Sequence, residues 1–452
     1  MSTGFDVSLS AARPALVAGR DNSVEVLIRV QAPDAPKGGL PERPPLNLAI
    51  VIDRSGSMAG EPLHQAKRCA AFMIDSLTAA DRGCVVAYDD TVQLVAESRP
   101  VTNKEHFKGA ISHIHDGGST NLHGGWLKGA EEAAKYLDLS TTSRVLLLSD
   151  GNANAGLTAI DQIATQCAQL ADTGVTTSTY GLGHSFNEEL MMAMSRSGRG
   201  NGYYSETADS LLERFREEFS LLASLCARRV QLRLNPLPGV HCELLNFYEA
   251  AGNGCWRLPD LVYDGEAWAA VRLRVDAAIL PAVGEKLELL QASVVYQDLK
   301  GVETEIPASW LSLQVMVNDE FRALAEDQPV IRRFREAEAA RLQEFASRAA
   351  RRHDWNEVDG LLAQARKLAA DSPWLGDIVT NLEQLASRRD EMLFSKEAVY
   401  ASSSLSSRLR SKAEFAAARF DDRDAPAHLR RKTRQGASEP LRPPKGDDDK
   451  SK

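Results

Sequence analysis

Asp53, Ser55 and Ser57 stand on alternate residues of Asp53-Arg54-Ser55-Gly56-Ser57-Met58, directly after an almost wholly apolar run from Leu46 to Ile52. One carboxylate and two hydroxyls are hard oxygen donors. A tight turn at the carboxyl end of a buried strand lets three such groups converge on one cation, with Gly56 relieving the backbone. No Cys or His stands in the motif. The cation implied is therefore one that prefers oxygen: Mg²⁺, or Mn²⁺ or Ca²⁺ in its place, ahead of Zn²⁺. Taken alone the pattern fits an ordinary turn equally well, because Asp, Ser and Gly are common turn residues.

Other residues with chemical potential are less telling. His113, His115 and His123 flank the segment Asp116-Gly117-Gly118-Ser119-Thr120, where solvated loop histidines are the ordinary reading and tuning of an ion the sharper one. Gly198, Gly200 and Gly202 form a G-x-G-x-G string, but no Lys-Ser/Thr follows, so a turn is expected rather than a phosphate cradle. The arginines between Arg332 and Arg352 alternate with glutamates, the pattern of a solvated helical face. Trp126 falls on the apolar side of its helix and is expected in the core. The six cysteines are scattered without a Cys-x-x-Cys pair, which suits buried thiols rather than a disulfide or zinc framework.

The elements that must position these residues show two textures. From Leu46 to about Leu222, short apolar runs alternate with amphipathic helical stretches, the rhythm of a doubly wound, Rossmann-like α/β sheet covered on both faces. Pro62 opens a helix carrying Leu63, Ala66, Ala70, Met73 and Leu77 at three-four spacing. Val92 to Val95 is expected to be the single antiparallel edge strand. The flanks instead alternate with period two. Val24, Val26, Ile28 and Val30 precede the α/β segment, while Val230, Leu232, Leu234 and the series Ala269 to Val275 and Leu290 to Tyr296 follow it. A lone N-terminal hairpin would be marginal. Pairing the two flanks predicts a β-sandwich with the α/β unit inserted into it. The segment 318–415 is helical, including one hairpin of tetratricopeptide length, and 416–452 lacks apolar period and is expected to be a tail without packed structure. The expected division is 1–43, 44–225, 226–317, 318–415 and 416–452.

LNLAIVIDRSGSM, GGSTNL and LLLSDG together resemble the von Willebrand factor A family: its first strand and loop, its threonine loop, and its fourth strand ending in aspartate. GLGHSFNEEL and GNGYYSE are similar to later segments of the same family. The resemblance covers about 180 residues of the chain; the rest is similar only in a looser way to bacterial cytoplasmic members with a sandwich and a helical tail. It implies a metal-ion-dependent adhesion site in which Ser55, Ser57 and Thr120 are hydroxyl ligands and Asp53 and Asp150 hold the ion directly or through waters.

Two carboxylates balance a divalent ion, and neutral hydroxyls leave it able to accept one more anionic ligand, such as an Asp or Glu of a protein partner. A hydrolase would also need a positioned base and a route for a nucleophile, neither of which is legible. The expected function is thus non-enzymatic: a metal-dependent protein-interaction module or scaffold. The alternative is a regulatory or substrate-recruiting subunit of an ATP-driven or kinase/phosphatase-linked complex. A net charge of −9 gives no field for nucleic acid or anionic lipid. The opening residues show no signal-peptide pattern and no run of about 18 apolar residues occurs, so a cytoplasmic protein without membrane insertion is expected. The partner, its pathway and the oligomeric state are not legible.

Overall fold

The computed structural model describes residues 4–36, 43–150, 153–182, 187–205, 208–407, 409–412 and 427–429. Three strands come first: β1 (Asp6–Ala11), β2 (Ala15–Val17) and β3 (Asn22–Gln31). The α/β unit follows as β4 (Leu46–Asp53), α1 (Glu61–Ser76), β5 (Arg82–Tyr88), β6 (Val92–Pro100), α2 (Lys104–Ser112), α3 (Leu122–Ala134), β7 (Thr142–Ser149), α4 (Ile160–Thr173), β8 (Val175–Leu182), α5 (Glu188–Ser197), β9 (Arg199–Ser205) and α6 (Ala208–Ala223). Eight strands succeed it: β10 (Leu225–Pro236), β11 (Val240–Leu244), β12 (Glu249–Gly252), β13 (Cys255–Arg257), β14 (Leu261–Val262), β15 (Gly265–Val275), β16 (Lys286–Gln297) and β17 (Glu303–Met316). The helices α7 (Asn318–Ala323), α8 (Gln328–Arg351), α9 (Trp355–Leu368), α10 (Pro373–Ser387) and α11 (Glu391–Ser407), then the short β18 (Arg410–Ser411), complete the described elements apart from single 3-10 turns.

The α/β sheet has the order β6-β5-β4-β7-β8-β9, with β6 antiparallel and the others parallel. β4 is buried along its whole length because its two faces meet different layers. Leu48, Ile50 and Ile52 pack with Leu63, Ala66, Met73 and Phe107 of α1 and α2, whereas Ala49 and Val51 pack with Trp126 and Ala130 of α3. Small residues on that second side let α3 come close: a Cβ at Gly129 would lie 2.4 Å from Val51. The chain leaves β4 toward β5 on one side and reaches β7 on the other, so the strand order reverses there. In open α/β sheets the crevice at such a switch point is where ligands bind. Asp53 ends β4, and Asp150 directly follows β7.

Two further sheets take strands from both sides of the α/β unit. One runs β1-β3-β15-β11, with β3 paired to β15 from Gln31↔Glu266 to Asn22↔Val275; β18 adds to β15. The other runs β12-β13-β10-β16-β17-β2, with β2 parallel to β17 and β14 paired to β10. One buried cluster includes Val26 and Val271 from the first sheet, Leu232 and Val294 from the second, and the α1-facing side of β4. β17 runs as one strand through Pro307, which sits at the irregular register between Ile306 and Ser309, where no ladder donor is required.

Three expectations change. Of the G-x-G-x-G string only Gly198 is in a turn, at the C-terminus of α5; Gly200 and Gly202 belong to β9, and a Cβ at Gly200 would sit 2.1 Å from the Thr177 carbonyl oxygen of β8. Gly200 serves close strand packing, and Gly202 the close approach of α5, where a Cβ would lie 2.5 Å from Met192. The Arg/Glu-rich α8 is not simply solvated: Arg333 and Glu336 form a buried pair at 2.7 Å, with the Arg333 guanidinium over Trp268, because an alanine stripe that includes Ala339, Ala346 and Ala350 brings α8 against its neighbours. In the tail, Ala427–Leu429 form a turn packed on α6, with Leu429 buried and His428 bonded to Ser220 at 2.9 Å. Tail residues 416–426 and 430–452 lie outside the described residues. The expected hairpin, α9 and α10, packs with α9 on α8 and α10 on α11, while α8 and α11 pack on each other.

Candidate metal centre

Three loops meet above β4 and β7. The first carries Asp53, Ser55 and Ser57; the Ser55 amide donates to Asp53 Oδ1 at 2.9 Å, and Ser55 Oγ lies 3.2 Å from Ser57 Oγ. Ser57 Oγ donates to Asp150 Oδ1 at 2.9 Å, linking the first loop to the one after β7. The second loop, 116–121, is stapled to the first through backbone bonds, Gly56 N–H to the Gly118 carbonyl at 2.9 Å and Gly117 N–H to the Arg54 carbonyl at 2.7 Å. Thr120 is buried in that loop and is fixed from the third: its amide donates to Asn154 Oδ1 at 2.8 Å, and its carbonyl accepts from Asn154 and Ala155 N–H at 3.2 Å. The structure thus joins Asp53, Ser55, Ser57 and Asp150 side by side, and ties Thr120 to them through its backbone.

Residues not anticipated from sequence hold this arrangement. Ser149 Oγ donates to Asp53 Oδ2 at 2.6 Å, so both oxygens of the buried Asp53 are engaged. Asp89, in the β5–β6 turn, braces two loops at once. It pairs with Arg54 at 3.2 Å and accepts from Gly118 N–H at 3.4 Å, while Thr91 donates to its Oδ1 through both amide and hydroxyl. Burial opposes the charge on Asp89, but the Thr91 bonds and Arg54 prevail and hold it down at about 2. The glycine pair in GGST is explained by this brace: a Cβ at Gly117 would fall 1.9 Å from Asp89 Oδ2, and one at Gly118 2.4 Å from Asp90 Oδ1. The adjacent acids Asp89-Asp90 after an apolar strand are the signal in the sequence that could have flagged this role. The histidines do not join the centre: His113 bonds the Gly109 carbonyl, His123 bonds Gln166, and His115 is exposed.

The electrostatics suit a hard cation. Burial raises Asp53 above the usual carboxylate range against its hydrogen bonds. Burial, with the nearby Asp53 charge, pushes Asp150 up to about 6 although Ser57 donates to it. Arg54, the adjacent cation, is committed to Asp89. Two carboxylates among hydroxyls, with no basic side chain bonded to either among the described residues, leave the charge balance that a divalent ion completes. The donors are all oxygen, so Asp53, Ser55, Ser57, Thr120 and Asp150 fit Mg²⁺ or Mn²⁺ better than Zn²⁺. Among the described residues no group of three or more His, Cys, Asp or Glu gathers as a metal centre, and all six thiols are free.

Residues 47–218 match the von Willebrand factor type A domain. It is 27% identical over 340 residues to the uncharacterized protein sll0103 of Synechocystis, covering 72% of this chain and 78% of that one. It is 29% identical over 199 residues to the uncharacterized protein YfbK of Escherichia coli, covering 43% of this chain and 35% of that one, so it spans about a third of the E. coli protein's length. Among solved structures, the von Willebrand factor type A protein from Catenulispora acidiphila superposes with a TM-score of 0.69 at 17% identity, over 89% of this chain and 97% of that one. That likeness extends the shared fold beyond the α/β unit. Among the described residues no helix is long and apolar enough to cross a membrane.

Proposed function

We propose that the chain is a metal-dependent protein-interaction module that captures an Asp or Glu of a partner protein at the switch-point crevice. The observation that carries this reading is the hydrogen-bonded convergence of Asp53, Ser55, Ser57 and Asp150, with Thr120 fixed on the adjoining loop. Mg²⁺ or Mn²⁺ held there would supply an electrophilic position for one further anionic ligand, and a partner carboxylate is the ligand best matched to it in charge and directionality. The chain's own residues do the remaining work. Ser149 and the Ser55 amide orient Asp53, Ser57 orients Asp150, and Asp89 keeps the two glycines against the Asp53 loop. Among the described residues no acid–base or nucleophile pair accompanies this centre, which favours binding over catalysis.

In this reading the two flanking sheets act as one β-sandwich into which the α/β unit is inserted, and with the helices they supply further surface. A cytoplasmic, bacterial setting suits the free thiols and the composition. Recruitment into an ATP-driven or kinase/phosphatase-linked assembly is one use of such a module. The test is affinity capture with the intact chain in Mg²⁺ and in EDTA, followed by mass spectrometry. A partner retained in Mg²⁺, released by EDTA and lost with the folded Asp53→Ala variant supports the proposal. Capture that is indifferent to both EDTA and Asp53→Ala rejects it.

A further inference from the structure

A second site lies far from the metal centre in sequence, where α5 and β9 of the α/β unit meet β12, β13 and α11. A cavity of about 160 Å³ opens there, well above the roughly 10–15 Å³ that a single water occupies. Arg196, Arg199, Arg257, Asn201, Ser404 and Phe247 are among the residues lining it.

The charge balance in this cavity is uneven. Arg199 and Arg257 both bond to Asp172, and Arg257 also pairs with Glu249 at 3.3 Å. Glu249 is further occupied by Ser197 at 2.8 Å. Of the other carboxylates on the wall, Glu217 pairs with Arg214 and Asp260 accepts from the Arg229 amide while facing Arg144. Glu344, the carboxylate whose charge is felt most at Arg196, pairs through Oε1 with Arg348 of its own helix at 3.4 Å, while its Oε2 is buried and bonded to nothing among the described residues. Arg196 is left over. Its guanidinium carbon stands 5.7 Å from the Phe247 ring centroid, and its buried Nε and Nη2 have no hydrogen-bond partner among the described residues. Ser404 Oγ, on the same wall, is likewise buried and without a partner.

A buried guanidinium with unused donors is costly unless a ligand or water satisfies it. Burial accordingly holds Arg196 below the ordinary arginine range. A guanidinium edge and a hydroxyl on the walls of one cavity form a donor set suited to a planar or tetrahedral oxyanion. We propose that this cavity binds a small oxyanion, a carboxylate or a phosphate group, with Arg196 and Ser404 as its donors. Because its walls come from the α/β unit, a flanking sheet and α11, the anion would bridge three parts of the molecule. This site is independent of the metal-centre reading.

The experiment titrates inorganic phosphate and, separately, acetate into the intact chain in EDTA at constant ionic strength, and follows the melting temperature. A saturable rise is expected, since a ligand of the folded state stabilises it by mass action. Response to phosphate alone assigns a phosphate ligand, and response to acetate assigns a carboxylate. Arg196→Gln should lose the rise, Ser404→Ala should weaken it, and Asp53→Ala should keep it. If Arg196→Gln does not fold, Ser404→Ala carries the test. No saturable rise with either anion overturns the proposal, as does an equal rise in wild type and the folded cavity variants.

Discussion

Asp89 lies outside the proposed metal-ligand set yet braces its loops: one carboxylate holds Arg54 of the first loop and the Gly118 amide of the second. Gly117→Ala should therefore disturb the centre, because its Cβ would stand 1.9 Å from Asp89 Oδ2. The expected cost is about 1–3 kcal/mol of stability, as for other overpacked sites, together with weaker Mn²⁺ binding. Gly109→Ala is the matched control. That glycine lies inside α2 with nothing within 4 Å of the added Cβ, and alanine there should stabilise by up to about 1 kcal/mol. Urea titration of both variants checks the pair, and equal stabilities would remove the brace. Asp53, Ser55 and Ser57 were legible because they share one turn after a strongly apolar strand. Asp89, Ser149 and Asn154 were not, since each meets its partner only when separate loops are brought together, and their side chains in sequence look like ordinary turn and strand-end residues.

Elements are joined by a buried polar knot beneath β7 and β8. Arg144 reaches Glu218 of α6 at 2.7 Å, and Ser178, Asn201 and Tyr203 also donate to Glu218. Arg144 faces Asp260 of the following strand region at 3.6 Å, so the knot ties the α/β unit to its flank. Burial pushes the Glu218 carboxyl up, but Arg144 and the hydrogen bonds outweigh it and hold the group below its ordinary value. A carboxyl with a depressed folded pKa adds stability that is present above its unfolded pKa and lost as pH falls through the folded one. The stability from Glu218 should thus be intact near neutrality and decline below about pH 4.5. Glu218→Gln should cost about 3 kcal/mol at pH 7, leaving buried Arg144 with only the more distant Asp260 as counter-charge, and should flatten the acid limb of stability against pH. An unchanged acid limb in urea titrations would show that the pair is not the source. The α/β elements were readable because helix and strand periods alternate cleanly, and so were β3, β10, β15 and β16. The short strands β11 to β14 carry too few residues for a period to emerge. On α8 the charge pattern concealed a buried side because small alanines, rather than large apolar residues, make its contacts.

For the whole molecule, residues 6–31 supply one edge strand, β1, the neighbour of β15 in one sheet, and the edge of the other sheet. Removing residues 1–35 should unpair β15 and expose Val271 and Leu273, giving protease sensitivity or insolubility. Equal protease resistance would mean that the flanking sheets stand without the N-terminal strands. This pairing of distant segments was legible from the weakness of an isolated hairpin, whereas the docking of Leu429 on α6 was not, because three residues in a charged tail show no pattern. The proposed metal centre stands or falls with an ion held by the three loops. Calorimetric titration of Mn²⁺ into the EDTA-stripped, intact chain should reveal one saturable site that disappears in Asp53→Ala and in Asp150→Ala, while circular dichroism stays unchanged. Absence of binding to the folded wild-type chain, or equal binding by wild type and both variants, would contradict it.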